Sequence, residues 1–142
     1  MAVTIYPYSE FAKSLAEKQI DFDTDVIKVA LFTNSHTPNQ DADTLYSGLT
    51  NEVANGNGYT TGGATLASAS ITKTANVTKL DGENVTWSSS TITARYAVIY
   101  DSGNSELIAY VDFGEDFSSS NSDFTITWNA SGIVTLTATD AP

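Results

Sequence analysis

The chain of 142 residues carries 6 Lys+Arg against 17 Asp+Glu, a formal net charge of −11, with no cysteine and one histidine. Six scattered cations cannot supply the counterion release on which nucleic-acid binding rests. Disulfides, iron–sulfur clusters, thiolate zinc and cysteine nucleophiles are excluded together, and a lone histidine excludes a multi-histidine metal site. Hydrophobic residues make up 41% and aromatics 11%, yet charged residues only 16%, well below the usual quarter. Ser, Thr and Asn replace the missing charge. Thr, Val, Ile and aromatics suit pleated, half-buried strands. The composition predicts one mainly β domain over 1–142, an antiparallel β-sandwich or barrel with one short N-terminal α-helix.

Residues 1–7 read as an N-terminal arm. Met1–Ile5 has neither a basic nor a long apolar stretch, so no signal peptide is expected, and no run is long enough to cross a membrane as a helix. Tyr8, Phe11, Ala12, Leu15 and Ala16 then fall on one stripe at helical spacing, which predicts a helix over about 8–19. Pro7 suits its first turn, and Glu10 and Lys18 match its macrodipole.

The β domain is expected over about 26–140. Val26–Thr33 is apolar on both faces apart from Lys28 and predicts a strand covered on both sides. A loop over 34–63 follows, rich in Asn, Gly, Asp, Ser and Thr. It is too long for an ordinary connection, so Tyr46, Leu49 and Val53 are expected to give it a short helix and some anchoring. Ala64–Thr74 reads as strand. Val77–Leu80 and Asn84–Trp87 flank Asp81-Gly82 and predict a hairpin. Thr91–Tyr100 predicts a long strand with Ile92, Ala94, Tyr96, Val98 and Tyr100 on one face. Asp101–Asn104 turns it into Leu107–Phe113. Phe124, Ile126 and Trp128 alternate, and Asn129–Gly132 turns the chain into a returning strand over 133–139.

No catalytic constellation emerges. His36 stands in a polar loop without a Gly-x-Ser-x-Gly elbow, so a structural or solvated histidine is expected. Asp21-x-Asp23-x-Asp25 begins like a calcium loop, but Val26 and Phe32 occupy the positions that need Gly and Glu, which leaves a charged strand entry or, as the alternative, a weaker calcium site on an exposed turn. Gly58 and Gly63 have phosphate-loop spacing, but Ala64 stands where Lys must be. That glycine cluster reads as a tight loop that Tyr59 pins to the body. Asp112, Glu115 and Asp116 are the best carboxylate pairs for a glycosidase, and a surface of charge −11 supplies such pairs without a cleft. The expectation is no catalytic, cofactor-binding or metal-ligating residue.

Three segments, in order, resemble small structural proteins of tailed bacteriophages, of the capsid decoration (cement) kind. The first is Ile20-Asp21-Phe22-Asp23-Thr24-Asp25-Val26-Ile27-Lys28-Val29-Ala30-Leu31-Phe32-Thr33 with Thr37-Pro38-Asn39-Gln40-Asp41-Ala42. The second is Asn51-Glu52-Val53 with Gly58-Tyr59-Thr60-Thr61-Gly62-Gly63-Ala64-Thr65-Leu66. The third is Val85-Thr86-Trp87-Ser88 with Thr93-Ala94-Arg95-Tyr96-Ala97-Val98-Ile99-Tyr100, Val111-Asp112-Phe113-Gly114 and Phe124-Thr125-Ile126-Thr127-Trp128. The resemblance implies a non-enzymatic virion protein made in the bacterial cytoplasm and placed on the capsid exterior. Its partners would be the major capsid protein and further copies of itself, with no nucleic acid, no membrane and no cofactor. Tyr6, Tyr8, Tyr46 and Tyr59 are the candidate contacts, because Tyr is enriched at interface hot spots. The alternative is a tail or fibre component that recognises a host glycan; Trp87, Trp128 and Tyr100 supply the residue types of a sugar site, but Trp87 and Trp128 alternate with apolar residues, which places them in the core.

Overall fold

The structure is a computed structural model that describes residues 3–142. Met1 and Ala2 of the expected arm lie outside the described residues. The fold is mainly β and antiparallel throughout. The strands are β1 (Thr4–Pro7), β2 (Ile27–Phe32), β3 (Ala64–Thr65), β4 (Ser70–Thr74), β5 (Val77–Asp81), β6 (Val85–Ser90), β7 (Thr93–Asp101), β8 (Leu107–Ser118), β9 (Ser122–Ile126) and β10 (Val134–Thr137), with one helix, α1 (Phe11–Ala16). They form a five-stranded sheet in the order β1-β8-β7-β2-β3, a three-stranded sheet β10-β5-β4 and a two-stranded sheet β6-β9.

β2 is covered on both faces, as its apolar run requires. Ile27, Val29 and Leu31 enter a large core cluster, which Leu80, Val85, Trp87, Phe124, Ile126, Ile133 and Val134 close from the two smaller sheets. Ala30 and Phe32 enter a second cluster with Tyr8, Val98, Tyr100 and Leu107, and the loop residues Tyr46 and Leu49 pack on it. The arrangement is sandwich-like, with the long loop laid over the second face. That loop carries the expected short helical piece, a single 3-10 turn at Tyr46–Gly48, and Val53 packs against the large cluster.

The helix is shorter than its stripe. Pro7 ends β1 opposite Ala109, and the Tyr8 N–H continues the ladder to the Ile108 carbonyl at 3.0 Å. Sheet pairing thus takes the residues that periodicity assigned to the first helical turn. An edge strand tolerates Pro, which has no N–H to offer. Phe11 and Ser14 are buried, Ala12 and Ala16 are exposed, and Lys18 leaves the helix at φ +62°.

Two expected hairpins do not form. β5 pairs with β4 and β10, whereas β6 pairs with β9. Asp81-Gly82 therefore carries the chain from one sheet to the next. Gly82 is demanded by close approach, since a Cβ there would sit 2.6 Å from Leu66 Cγ. The tight connection is Ala75-Asn76, between β4 and β5, with Ala75 at φ +53°. Likewise, the strand after Asn129–Gly132 joins β5 and not β9. Ala64–Thr74 is split into β3 and β4 by a turn at Ser68, φ +56°.

β7 does not keep one face. Ile92, Ala94, Ala97 and Ile99 belong to the large cluster, while Tyr96, Val98 and Tyr100 lie on the other side. The register with β8 jumps from Ala94↔Phe117 to Tyr96↔Asp112. One residue of β7 faces four of β8 there, so the period of two breaks and the strand turns over. The turn from β7 into β8 forms as expected, with the Asp101 N–H bonded to the Glu106 carbonyl at 2.9 Å.

Candidate functional site

The four candidate tyrosines fall into different environments. Tyr6 is 40% exposed on the edge strand β1 and stacks on Tyr110 of β8 at 5.2 Å and 30°. Tyr8 is 2% exposed, packs against Tyr110 at 5.3 Å, and its hydroxyl has no partner among the described residues. Burial holds that hydroxyl far above the usual phenol range. In this conformation the side chain of Tyr8 serves the core, and Tyr6 with Tyr110 offers the accessible aromatic surface.

Tyr46 and Tyr59 converge on Glu52. The loop runs back along the end of β2, with Thr33 N–H to Asn51 O at 3.0 Å and Val53 N–H to Leu31 O at 2.9 Å. This places the Glu52 carboxylate between loop and sheet. Its Oε1 accepts the Tyr59 O–H at 2.6 Å and the Gly62 N–H at 2.7 Å, and its Oε2 accepts the Tyr46 O–H at 2.5 Å. The Tyr59 oxygen accepts the Leu31 N–H at 2.9 Å. Tyr100 donates to the Gly62 carbonyl at 2.6 Å and stacks on Tyr46 at 4.1 Å and 6°. Burial first, then the bond to Glu52, pushes Tyr46 and Tyr59 far above the phenol range. Burial and the Glu52 charge push Tyr100 up to about 12. All three hydroxyls therefore stay protonated donors, and the constellation is a clamp that fastens the loop. Tyr59, 2% exposed, pins its glycine-rich turn to the body as expected.

His36 wedges beneath the same loop. It is 4% exposed, its Nδ1 donates to the Thr50 carbonyl at 3.0 Å, and its ring lies 4.6 Å from Phe32 and 5.9 Å from Tyr96. It is the structural histidine of the two expected alternatives. Burial lowers its pKa below 6.5, so the unfolded chain takes up a proton that the folded chain resists. Its contribution to stability is present above pH 6.5 and is lost as pH falls through that value. Urea unfolding at points from pH 7.5 down to pH 5.5, about one unit on either side of the ordinary histidine value, should show this decline, and His36→Gln should flatten it.

The other sequence candidates stay apart. Asp112 is held by Arg95 at 3.2 Å and accepts the Gly114 N–H at 2.8 Å, while Asp116 accepts from Asn34 at 2.9 Å. Trp87, Trp128 and Tyr100 are buried, and the Trp128 Nε1–H donates to the Glu83 carbonyl at 2.8 Å, so none presents an open ring face to a sugar. Asp21–Asp25 closes a turn, with the Asp21 N–H on Asp25 Oδ2 at 2.9 Å and the Asp25 N–H on the Asp21 carbonyl at 2.8 Å. Among the described residues no three acidic, histidine or cysteine side chains gather as a metal site, and no helix is long and apolar enough to cross a membrane. Burial, then the Asp25 carboxyl beside it, pushes Asp101 up to about 6.

Sequence reasoning missed Glu52 and Tyr110, named Tyr100 only as a strand and sugar-site residue, and named Asp101 only as a turn residue. It also missed the meeting of two serine runs, where Ser90 Oγ lies 2.8 Å from Ser119 Oγ and Ser119 Oγ accepts the Ile92 N–H at 3.1 Å. A half-buried glutamate has no periodicity signature. The only trace of Glu52 was its place beside the glycine-rich segment in the resemblance. No protein family, curated protein or solved structure compared with the chain matches it.

Proposed function

We propose that the chain is a structural protein of a tailed-bacteriophage virion, a capsid decoration protein that binds the major capsid protein lattice and stabilises the head. The observation that carries this reading is the ordered resemblance of three segments over nearly the whole chain. Those segments share a physical role in the fold. The first supplies β2, the second supplies the Glu52 clamp with its glycine turn, and the third supplies the strands of the large core. In this role the protein is made in the bacterial cytoplasm and acts on the capsid exterior, beside further copies of itself. Many modest contacts add through multivalency, and the charge of −11 keeps particles apart in solution and the protein away from packaged nucleic acid.

Residue-resolution imaging of virions, with the copy number per particle, tests the proposal. Density on the shell at a copy number near that of the major capsid protein is expected. Density in the tail alone, at a few dozen copies, overturns it. Tyr6 with Tyr110 is the proposed contact. Tyr6→Ser loses the stack on Tyr110 and should cost about 1 kcal/mol, the worth of a cross-strand aromatic pair, leaving the protein folded. It should weaken binding to shells that lack the protein by roughly tenfold, the effect of a modest hot spot.

A further inference from the structure

One end of the five-stranded sheet gathers carboxylates. Asp101 closes β7 opposite Ile27 of β2, and Asp25 precedes Ile27 by two residues. The two carboxyl groups lie within hydrogen-bond reach of one another. Asp101 is 2% exposed. Its Oδ1 accepts the Gly103 N–H at 2.9 Å, and its buried Oδ2 meets no hydrogen-bond donor among the described residues. Asp21 and Asp23 touch each other in the turn just before, and Glu106 acts on Asp101 through space. The ion pairs among the described residues use Lys13, Lys79 and Arg95, and none reaches this group.

A buried carboxylate oxygen without a donor is costly, and a second carboxylate against it adds repulsion. One cation between them relieves both. We propose that Asp25 and Asp101 together hold a divalent cation of the calcium class. Calcium accepts six to eight oxygens in flexible geometry and completes its shell with carbonyls and water, whereas magnesium demands a near-ideal octahedron and gives up water reluctantly. With two carboxylates and no third acidic side chain converging, the affinity belongs at the weak end of calcium sites, roughly 10⁻⁴ to 10⁻³ M. The ion would tie the start of β2 to the end of β7, a role that stands wherever the protein acts.

The test is calorimetric titration of calcium chloride, and separately magnesium chloride, into the full chain after chelator treatment. Melting curves at ionic strength matched with sodium chloride accompany it. The expected result is one calcium per chain, with a rise in Tm that magnesium does not reproduce. Asp101→Asn and Asp25→Asn should each weaken binding at least tenfold and abolish the rise. Glu115→Gln, which removes the same charge from an exposed position, should leave both unchanged. Should Asp101→Asn fail to fold, Asp25→Asn, half-buried at the mouth of the pair, carries the comparison. Absence of binding heat and of a Tm rise overturns the proposal. So does an equal rise in the Asp25 and Asp101 variants, because that reports only screening of the negative surface.

Discussion

Gly63→Ala is expected to destabilise the protein by about 4 kcal/mol or more, the range reserved for a specific structural conflict. Gly63 sits at φ +81°, and a Cβ there would lie 1.9 Å from the Val29 carbonyl oxygen and 2.6 Å from Ala30 Cα. Both neighbours are backbone of β2, which is buried on its two faces, so no side chain can swing aside. Relief requires moving β2 or unpairing β3, whose Ala64 faces Val29. Gly114→Ala is the matching control. Gly114 has a similar φ of +82° but open space around it, so it should lose only about 1 kcal/mol, the conformational term alone. Equal losses in the two variants, read from urea unfolding, would refute the close-approach argument.

Glu52→Ala is expected to cost about 3–5 kcal/mol, because it leaves the Tyr59 O–H, the Tyr46 O–H and the Gly62 N–H without their acceptor, at roughly 1–3 kcal/mol for each group that stays buried and unsatisfied. Glu52→Gln keeps an acceptor oxygen but not both, so it should lose less. Tyr46→Phe removes a single bond and should lose about 1 kcal/mol. The site of the damage is as informative as its size. Amide exchange should quicken across residues 34–63 and stay slow where β5 pairs with β10, whereas β6 lies against the clamp through Trp87, 6.1 Å from the Tyr59 ring. A loss under about 1 kcal/mol for Glu52→Ala would mean that apolar packing of Leu49 and Val53 holds the loop unaided.

The resemblance and the clamp meet in one stretch of chain. Asn51-Glu52-Val53 and Gly58–Leu66 are separated by only a few residues, but nothing in their types announces that Glu52 binds Tyr59 and Gly62. The bond depends on the path of the loop across β2. The Asp25–Asp101 pair is similar. The acidic turn at 21–25 is visible in the sequence, whereas its partner lies at the end of a strand 76 residues on, brought there by the β2–β7 register Ile27↔Asp101. The candidate contacts show the same limit. Residue type singles out Tyr6, Tyr8, Tyr46 and Tyr59 alike, but exposure separates them: two lie in the interior, one is half-buried in the clamp, and Tyr6 stays at the surface.

By itself the sequence determined the mainly β class, the doubly covered β2, the Asp101–Asn104 turn, the alternation of Phe124, Ile126 and Trp128, and the anchoring of the long loop. Each rests on local chemistry: a run that is apolar on both faces, a turn composition, a period of two. Tertiary structure decided the rest. It drew Pro7 and Tyr8 into β1, because the β8 edge offered hydrogen bonds that an isolated helical turn cannot match. It sent Asp81-Gly82 between sheets instead of around a hairpin, because β5 pairs with β4 and β10 while β6 pairs with β9. It turned β7 over at Arg95, because the β8 bulge changed the register. Pairing partners, register shifts and close approaches are properties of two segments at once, and a pattern read along one segment carries no information about the other.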